Sequence, residues 1–336
     1  MIIKGHYYWK LMEKKMENIF KTKFLLLLLI PFSGIILLVA CNNQKKATVE
    51  TVRIGSFFEA VDYAPYLIAK EKHLFEDSLG AKGIKIEYTE FQTLPAVNEA
   101  FATGKIDLVF EAEPPAIIGK AAGTDIQIRD ISCSLIQTIL VHTNSKIQTI
   151  AELKGKKIAV LAGTSSHYGV LKMLKDNGID AKDVQIIDMV PPDAKAAFES
   201  GQVDAWAVWP PFTQQEQIAG TGRILPQGNA YINSIMAVRG NFIEENPEIY
   251  QTIDNVFNQS KEWMIKNPDS AMMIVSKQLN VPINVIELAW PQHDWRAKLN
   301  LKVIDDIQAK ADFLKETGKI QNSVKVKGDL IPVYSN

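Results

Sequence analysis

The side chains that do most chemistry without a cofactor are thiols, imidazoles and activated hydroxyls, and in this 336-residue chain they are few and scattered. Histidine occurs five times, at His6, His73, His142, His167 and His293, and cysteine twice, at Cys41 and Cys133. No Cys/His group has the spacing of zinc ligands, so no metal site is expected, and no G-x-S-x-G turn presents a serine nucleophile. No carboxylate pair lies beside an obvious nucleophile. The densest polar run, "GTSSHYG" at 163–169, lacks the lysine of a phosphate-binding loop. What this run can do is start a helix. Ser165 or Ser166 is a plausible N-cap, Val170, Leu171 and Leu174 fall on one helix face, and Gly178 closes the helix. In front of it "IAVLA" reads as a fully buried strand. Strand, loop and helix in this order predict a mostly parallel sheet with right-handed crossovers, whose ligands collect at the carboxyl ends of the strands.

Cys41 has a different context. The apolar run from Phe24 to Ala40 is seventeen residues long and is interrupted by Pro31, Ser33 and Gly34. A membrane-spanning helix needs about 20 residues. Lys14, Lys15, Lys21 and Lys23 precede the run, the arrangement of a secretory signal. Met12 and Met16 each open a more compact charged segment than Met1 does. Leu38-Val39-Ala40-Cys41 resembles the lipobox of bacterial lipoproteins, which implies a diacylglycerol on the sulfur, an acyl (palmitate) modification, and Cys41 as the mature N-terminus. The polar "NNQKKATVE" behind it then serves as a short leash, with lipid as the only membrane connection.

Residues 1–40 hold six of the 37 basic and two of the 38 acidic residues, so the remainder carries 31 and 36, a net charge of −5. With no basic cluster, a nucleic-acid partner is not expected. An exported chain can form disulfides, yet only Cys133 remains, so stability must come from burial; Cys133 reads as an inert buried hydrophobe. The mature chain also repeats itself. "AFATGKIDLVFEAEPP" from Ala100 and "AFESGQVDAWAVWPP" from Ala197 place Phe101, Gly104 and Asp107 on Phe198, Gly201 and Asp204 at one offset, and "AGT" at Ala122 recurs at Ala219. Each copy reads as a short helix ending at glycine, an aspartate, then an apolar strand ending in proline. Two copies at an offset of 97 imply two similar α/β lobes; solenoid repeats are shorter, roughly 20 to 50 residues.

Taken together, "VRIGSFF", "TGKIDLVFEAEPPAIIGKAAG", "ELKGKKIAVLAGTSSHYGVLKML", "PPDAKAAFESGQVDAWAVWPPF" and "GNFIEENPEIY" resemble, in order from about Val52 to Tyr250, the substrate-binding proteins of ABC importers for aliphatic sulfonates, taurine and nitrate. The resemblance implies a two-lobed α/β fold of the periplasmic-binding-protein-like type II, with two hinge-crossing strands and the ligand between the lobes. It also implies an ABC permease and its ATPase as partners, a monomer, no cofactor, and a lipid-anchored extracytoplasmic location. The expected organisation is signal peptide 1–40, lipidated N-terminus and linker 41–50, lobe one 51–139, lobe two 140–236, and a return to lobe one over 237–336. "TILVHTN" (138–144) and "INSIMAVRG" (232–240) are the expected crossings.

Carried onto this sequence, the pocket loops would be Ser56-Phe57-Phe58, Glu111 to Pro115 with Glu111 and Glu113, Gly163 to His167 with Thr164, Ser165, Ser166 and His167, and Trp209-Pro210-Pro211-Phe212 with Trp209 against the ligand. Free N–H groups at the helix start suit an oxyanion, and the aromatic rings could wall an alkyl tail. Where relatives commonly read threonine-glycine-glutamate, this chain has Glu111-Ala112-Glu113. An extra ionised acid favours a ligand with a cationic end; Glu59 and Asp62 lean the same way. The expected ligand is an aliphatic sulfonate or a zwitterion such as taurine. The alternatives are nitrate, bicarbonate, a thiamine-precursor pyrimidine, or an enzymatic function on the same fold, since two-lobed folds of this kind include a transferase and a pyrimidine synthase.

Overall fold

The computed structural model describes residues 49–332 apart from 59 and 227–229. The signal-like run, Cys41 and Glu59 therefore lie outside the described residues. No helix of the described residues is long and apolar enough to cross a membrane.

The first half-sheet is laid down as β1 (Thr51–Phe57), α1 (Ala64–Glu71), α2 (Leu74–Gly80), β2 (Lys85–Phe91), α3 (Leu94–Ala102), β3 (Leu108–Ala112), α4 (Glu113–Ala121) and β4 (Ile126–Ile136). The chain then enters a second sheet with β5 (Ile139–His142), followed by β6 (Lys157–Val160), α5 (Ser165–Asp176), β7 (Gln185–Asp188), α6 (Pro191–Glu199), β8 (Ala205–Ala207), α7 (Phe212–Ala219) and β9 (Gly222–Ile224). It returns with β10 (Tyr231–Arg239) and finishes with α8 (Gly240–Glu245), α9 (Pro247–Lys266), α10 (Pro268–Leu279), α11 (Ile283–Ala289), β11 (His293–Asp294) and α12 (Leu301–Glu316).

The sheets run β11-β4-β10-β3-β1-β2 and β7-β6-β8-β5-β9. Setting aside the edge strand β11, the two orders are the same. In each, a parallel trio has its first strand in the middle, and the third strand pairs with an antiparallel strand that has just arrived from the other sheet. β5 and β10 are those exchanged strands. The second passage is made between Ile224 and Tyr231, because β10 lies wholly in the six-stranded sheet; the boundary expected at 236 falls inside that strand.

The 97-residue repeat has a physical counterpart. Asp107 Oδ2 accepts the N–H of Arg53 at 2.9 Å, and Asp204 Oδ2 accepts the N–H of Lys157 at 2.9 Å. Each aspartate thus fastens the start of the third strand of its trio to the start of the first. Gly104 and Gly201, with φ of 66° and 75°, turn the chain out of α3 and α6 in the left-handed region where a side chain is disfavoured.

The core of lobe one lies between its sheet and the C-terminal helices. Tyr250, Ile253, Val256, Phe257 and Met264 form the buried stripe of α9. Phe110 of β3 stacks on Tyr66 at 4.5 Å between ring centroids and meets Phe257 at 5.5 Å. In lobe two Trp206 is buried against Phe198 and Phe212. Cys133 is free and fully buried, and burial holds its thiol well above the usual range.

Candidate functional site

The loops that follow β1, β3, β6 and β8 converge where the two lobes face each other. Phe57, Asp62, Tyr63, Ala112 and Pro115 line the meeting point from lobe one, and Thr164, Ser165 and Trp209 from lobe two. The void between them is about 10 Å³, room for roughly one water.

On the lobe-two side the site is a helix start. Thr164 is the N-cap of α5, one residue earlier than Ser165. Its hydroxyl donates to Leu161 O at 2.7 Å and accepts from His167 N at 3.3 Å, which occupies it within the cap. The Ser166 hydroxyl donates to Gln137 Oε1 at 3.0 Å, tying α5 to the first interlobe passage. Ser165 and Ser166 begin the helix, so their backbone N–H groups have no intrahelical acceptor and carry the positive end of its dipole. His167 Nδ1 accepts the N–H of Gly163 at 3.0 Å. Burial, with a contribution from Lys319, pulls its pKa down to about 4. The ring is therefore neutral at neutral pH, and its remaining proton sits on Nε2.

Aromatic rings from both lobes form the rest of the wall. Phe57 and Phe58 meet edge to face at 5.2 Å, and Trp209 lies 6.3 Å and 5.8 Å from them, across the interlobe gap. Phe58 holds φ at +43°, an uncommon conformation for a bulky residue, which aims its ring at Trp209. Ser56, the residue before Phe57 in β1, is buried, with its hydroxyl unpaired among the described residues.

The two glutamates differ. Glu113 Oε1 accepts from Asn233 N at 3.0 Å and pairs with Lys310 Nζ at 2.6 Å, while Oε2 accepts from Asn233 Nδ2 at 2.6 Å. Burial alone would lower the pKa of Lys310, but Glu113 and Asp306 outweigh it and hold the ammonium above its ordinary value. Both Glu113 oxygens are thus committed to joining α4, β10 and α12. Removing one partner of such a buried pair costs about 3–5 kcal/mol. Glu111, by contrast, is buried with no counter-ion among the described residues, and burial raises its pKa to about 8. The sequence suggested an ionised acid; the structure gives one that is largely protonated at neutral pH.

Ala112 and Pro115, from the loop expected after β3, line the void; Tyr63 lines it as well and was not placed in the pocket by sequence reasoning. Among the described residues no group of three or more His, Cys, Asp or Glu is arranged to hold a metal ion.

Comparison with known proteins agrees with this architecture. The model of the NMT1/THI5-like family matches residues 60–271. A Bacillus subtilis (strain 168) protein named for binding aliphatic sulfonates is 34% identical over 313 residues, 89% of this chain and 92% of its own. The alkanesulfonate-binding protein SsuA from Xanthomonas axonopodis pv. citri, solved bound to MOPS, superposes with a TM-score of 0.75 at 26% identity, covering 84% of this chain and 98% of that one. The periplasmic aliphatic sulphonate binding protein SsuA from Escherichia coli gives 0.72 at 27% identity, with 84% and 97% covered. With this match across most of its length, the two exchanged-strand sheets and the cleft between them, the chain belongs to the NMT1/THI5-like family and has the two-lobed fold of the periplasmic binding proteins.

Proposed function

We propose that this protein is the extracytoplasmic solute-binding component of an ABC importer, capturing a small sulfonate-type organic anion or zwitterion and delivering it to the permease. The observation that carries the reading is the pairing of opposites at the cleft. The N-terminus of α5, with two N–H groups free of intrahelical acceptors, faces an aromatic wall of Phe57, Phe58 and Trp209. Sulfonate oxygens suit the N–H groups of Ser165 and Ser166, supplemented by the Ser165 hydroxyl and the Nε2–H of neutral His167. A short alkyl chain suits the rings. Thr164, Ser166 and Glu113 act by positioning, since their polar side chains are engaged within the fold.

The protein acts as a monomeric carrier rather than an enzyme, tethered through lipid on Cys41 and partnered by the permease and its ATPase. Relatives named for sulfonate binding favour this over nitrate, bicarbonate or a pyrimidine. Thermal-shift titration with alkanesulfonates, taurine, nitrate, bicarbonate and thiamine precursors tests it. A sulfonate should raise the melting temperature with saturating dependence on concentration and be recovered unchanged by mass spectrometry. Stabilisation by nitrate alone, or chemical conversion of the ligand, would replace the reading. Cys41→Ala should appear in the aqueous fraction or as uncleaved precursor; a processed, membrane-bound variant would remove the anchor.

A further inference from the structure

Lobe one brings one buried acid to the lining of the cleft, Asp62, which is 4% exposed. Its backbone carbonyl accepts from Ser132 Oγ at 2.5 Å, and its carboxylate Oδ2 accepts from Ser234 Oγ at 2.7 Å. The first bond holds the backbone and the second the carboxylate. Oδ1 is buried and has no hydrogen-bond partner among the described residues. The nearest basic atom recorded is His293 Nε2, 3.9 Å away, beyond hydrogen-bond length and likewise buried without a partner among the described residues. The His293 ring is held by its Nδ1 against Ala289 O and stacks on Trp295.

Other buried ammonium groups are already committed. Lys261 donates to Ile131 O and Ala297 O, and Lys310 pairs with Glu113 and Asp306. Glu111 is buried on β3, paired with Ile235 of β10 and one residue before Ala112, which lines the void. Tyr63 joins the two acids: burial raises its phenol well above the ordinary value, and Asp62 and Glu111 both add to the rise.

A buried carboxylate oxygen without a donor is costly unless something supplies one. Resting on the sulfonate reading above, we infer that Asp62 Oδ1 and Glu111 form a cation subsite that selects a zwitterion, with an ammonium a few carbons from the anionic head. The head lies at the start of α5 and the ammonium against lobe one, so one ligand touches both lobes. Glu111 holds its proton when alone; an ammonium beside it supplies the counter-charge that burial denies and favours ionisation. Charge-assisted hydrogen bonds of this kind are strong where water is excluded.

Calorimetric titration of the purified protein with 2-aminoethanesulfonate, ethanesulfonate and 2-hydroxyethanesulfonate separates charge from size and polarity. The wild type should prefer the amine over both others by about tenfold or more. Asp62→Asn keeps the Ser234 contact but loses the charge, and should reduce that preference to within about threefold while ethanesulfonate binds as well or better. Glu111→Gln should shift selectivity the same way, and gives a second test should Asp62→Asn fail to fold. Equal or tighter binding of ethanesulfonate by the wild type, or a preference that survives in both variants, overturns the cation subsite and leaves the sulfonate reading standing. Failure of all three compounds to bind the wild type overturns both.

Discussion

Glu111 places a carboxyl group in the interior of lobe one, and the energetic consequence is set by its proton. Its ordinary pKa is 4.5, and burial raises it to about 8 in the folded protein. Between these values the native state holds a proton that the unfolded chain has released, so stability falls as pH rises through this window, by about 1.4 kcal/mol per pH unit at most. Glu111→Gln removes the titration while keeping the shape. Urea melts should show the two proteins similar at pH 5 and the variant more stable at pH 8, by a few kcal/mol. A difference that stays constant with pH would mean that Glu111 does not titrate as its burial dictates. His167 works in the opposite sense. Its pKa falls to about 4, so the stability associated with the neutral ring is present above its ordinary pKa of 6.5 and lost as pH drops toward 4.

Helix α5 carries the N–H groups proposed above to meet the anion, and its position is tied to the interlobe passage. Gln137 N donates to Ala230 O at 2.8 Å, tying the outgoing passage to the returning one, and its side chain accepts from Ser166. Gly169, one turn further along α5, lies flat against the same residue: a Cβ there would stand 2.6 Å from Gln137 Cβ. Alanine normally favours a helix over glycine by about 1 kcal/mol. Here the collision with a backbone-proximal carbon outweighs it, and Gly169→Ala should lower stability by about 1–3 kcal/mol and weaken ligand binding. A rise in melting temperature would show that α5 can move away from the hinge at little cost.

At the scale of the molecule, the lobes touch through side chains on opposite banks of the cleft. Lys175 of α5 pairs with Glu316 of α12 at 2.6 Å, Tyr168 meets Phe313 edge to face at 5.5 Å, and Gln214 Nε2 donates to Gln292 Oε1 at 3.0 Å. The Lys175–Glu316 pair is exposed and of the kind worth about 0–1 kcal/mol. The other interlobe contacts are aromatic ones between buried side chains and a partly buried amide hydrogen bond, and opening and closing of the lobes about the hinge is the motion expected of this fold. Small-angle scattering should show the radius of gyration falling, on addition of a binding sulfonate, toward the value of about 19 Å expected for a compact chain of this size. An unchanged radius at saturating ligand would argue against a closing clamp.

What was legible in the sequence was local or repeated. The α5 start, the apolar strand before it and the 97-residue repeat are carried by residue types at short or regular spacing, and Asp107 and Asp204 make the same hydrogen bond in both lobes. The second passage was displaced in the reading, because a β-rich run such as "INSIMAVRG" looks alike in a hinge and in a central strand. The engagement of Glu113 with Lys310 and Asn233, and of Asp62 with Ser234, joins residues more than 100 positions apart, and no spacing rule encodes such pairs. Glu111 shows the difference most plainly. Its presence and its place after an apolar run are written in the chain, but whether it is charged depends on how much water and which cations surround it, and only the packing of β3 between its neighbours decides that.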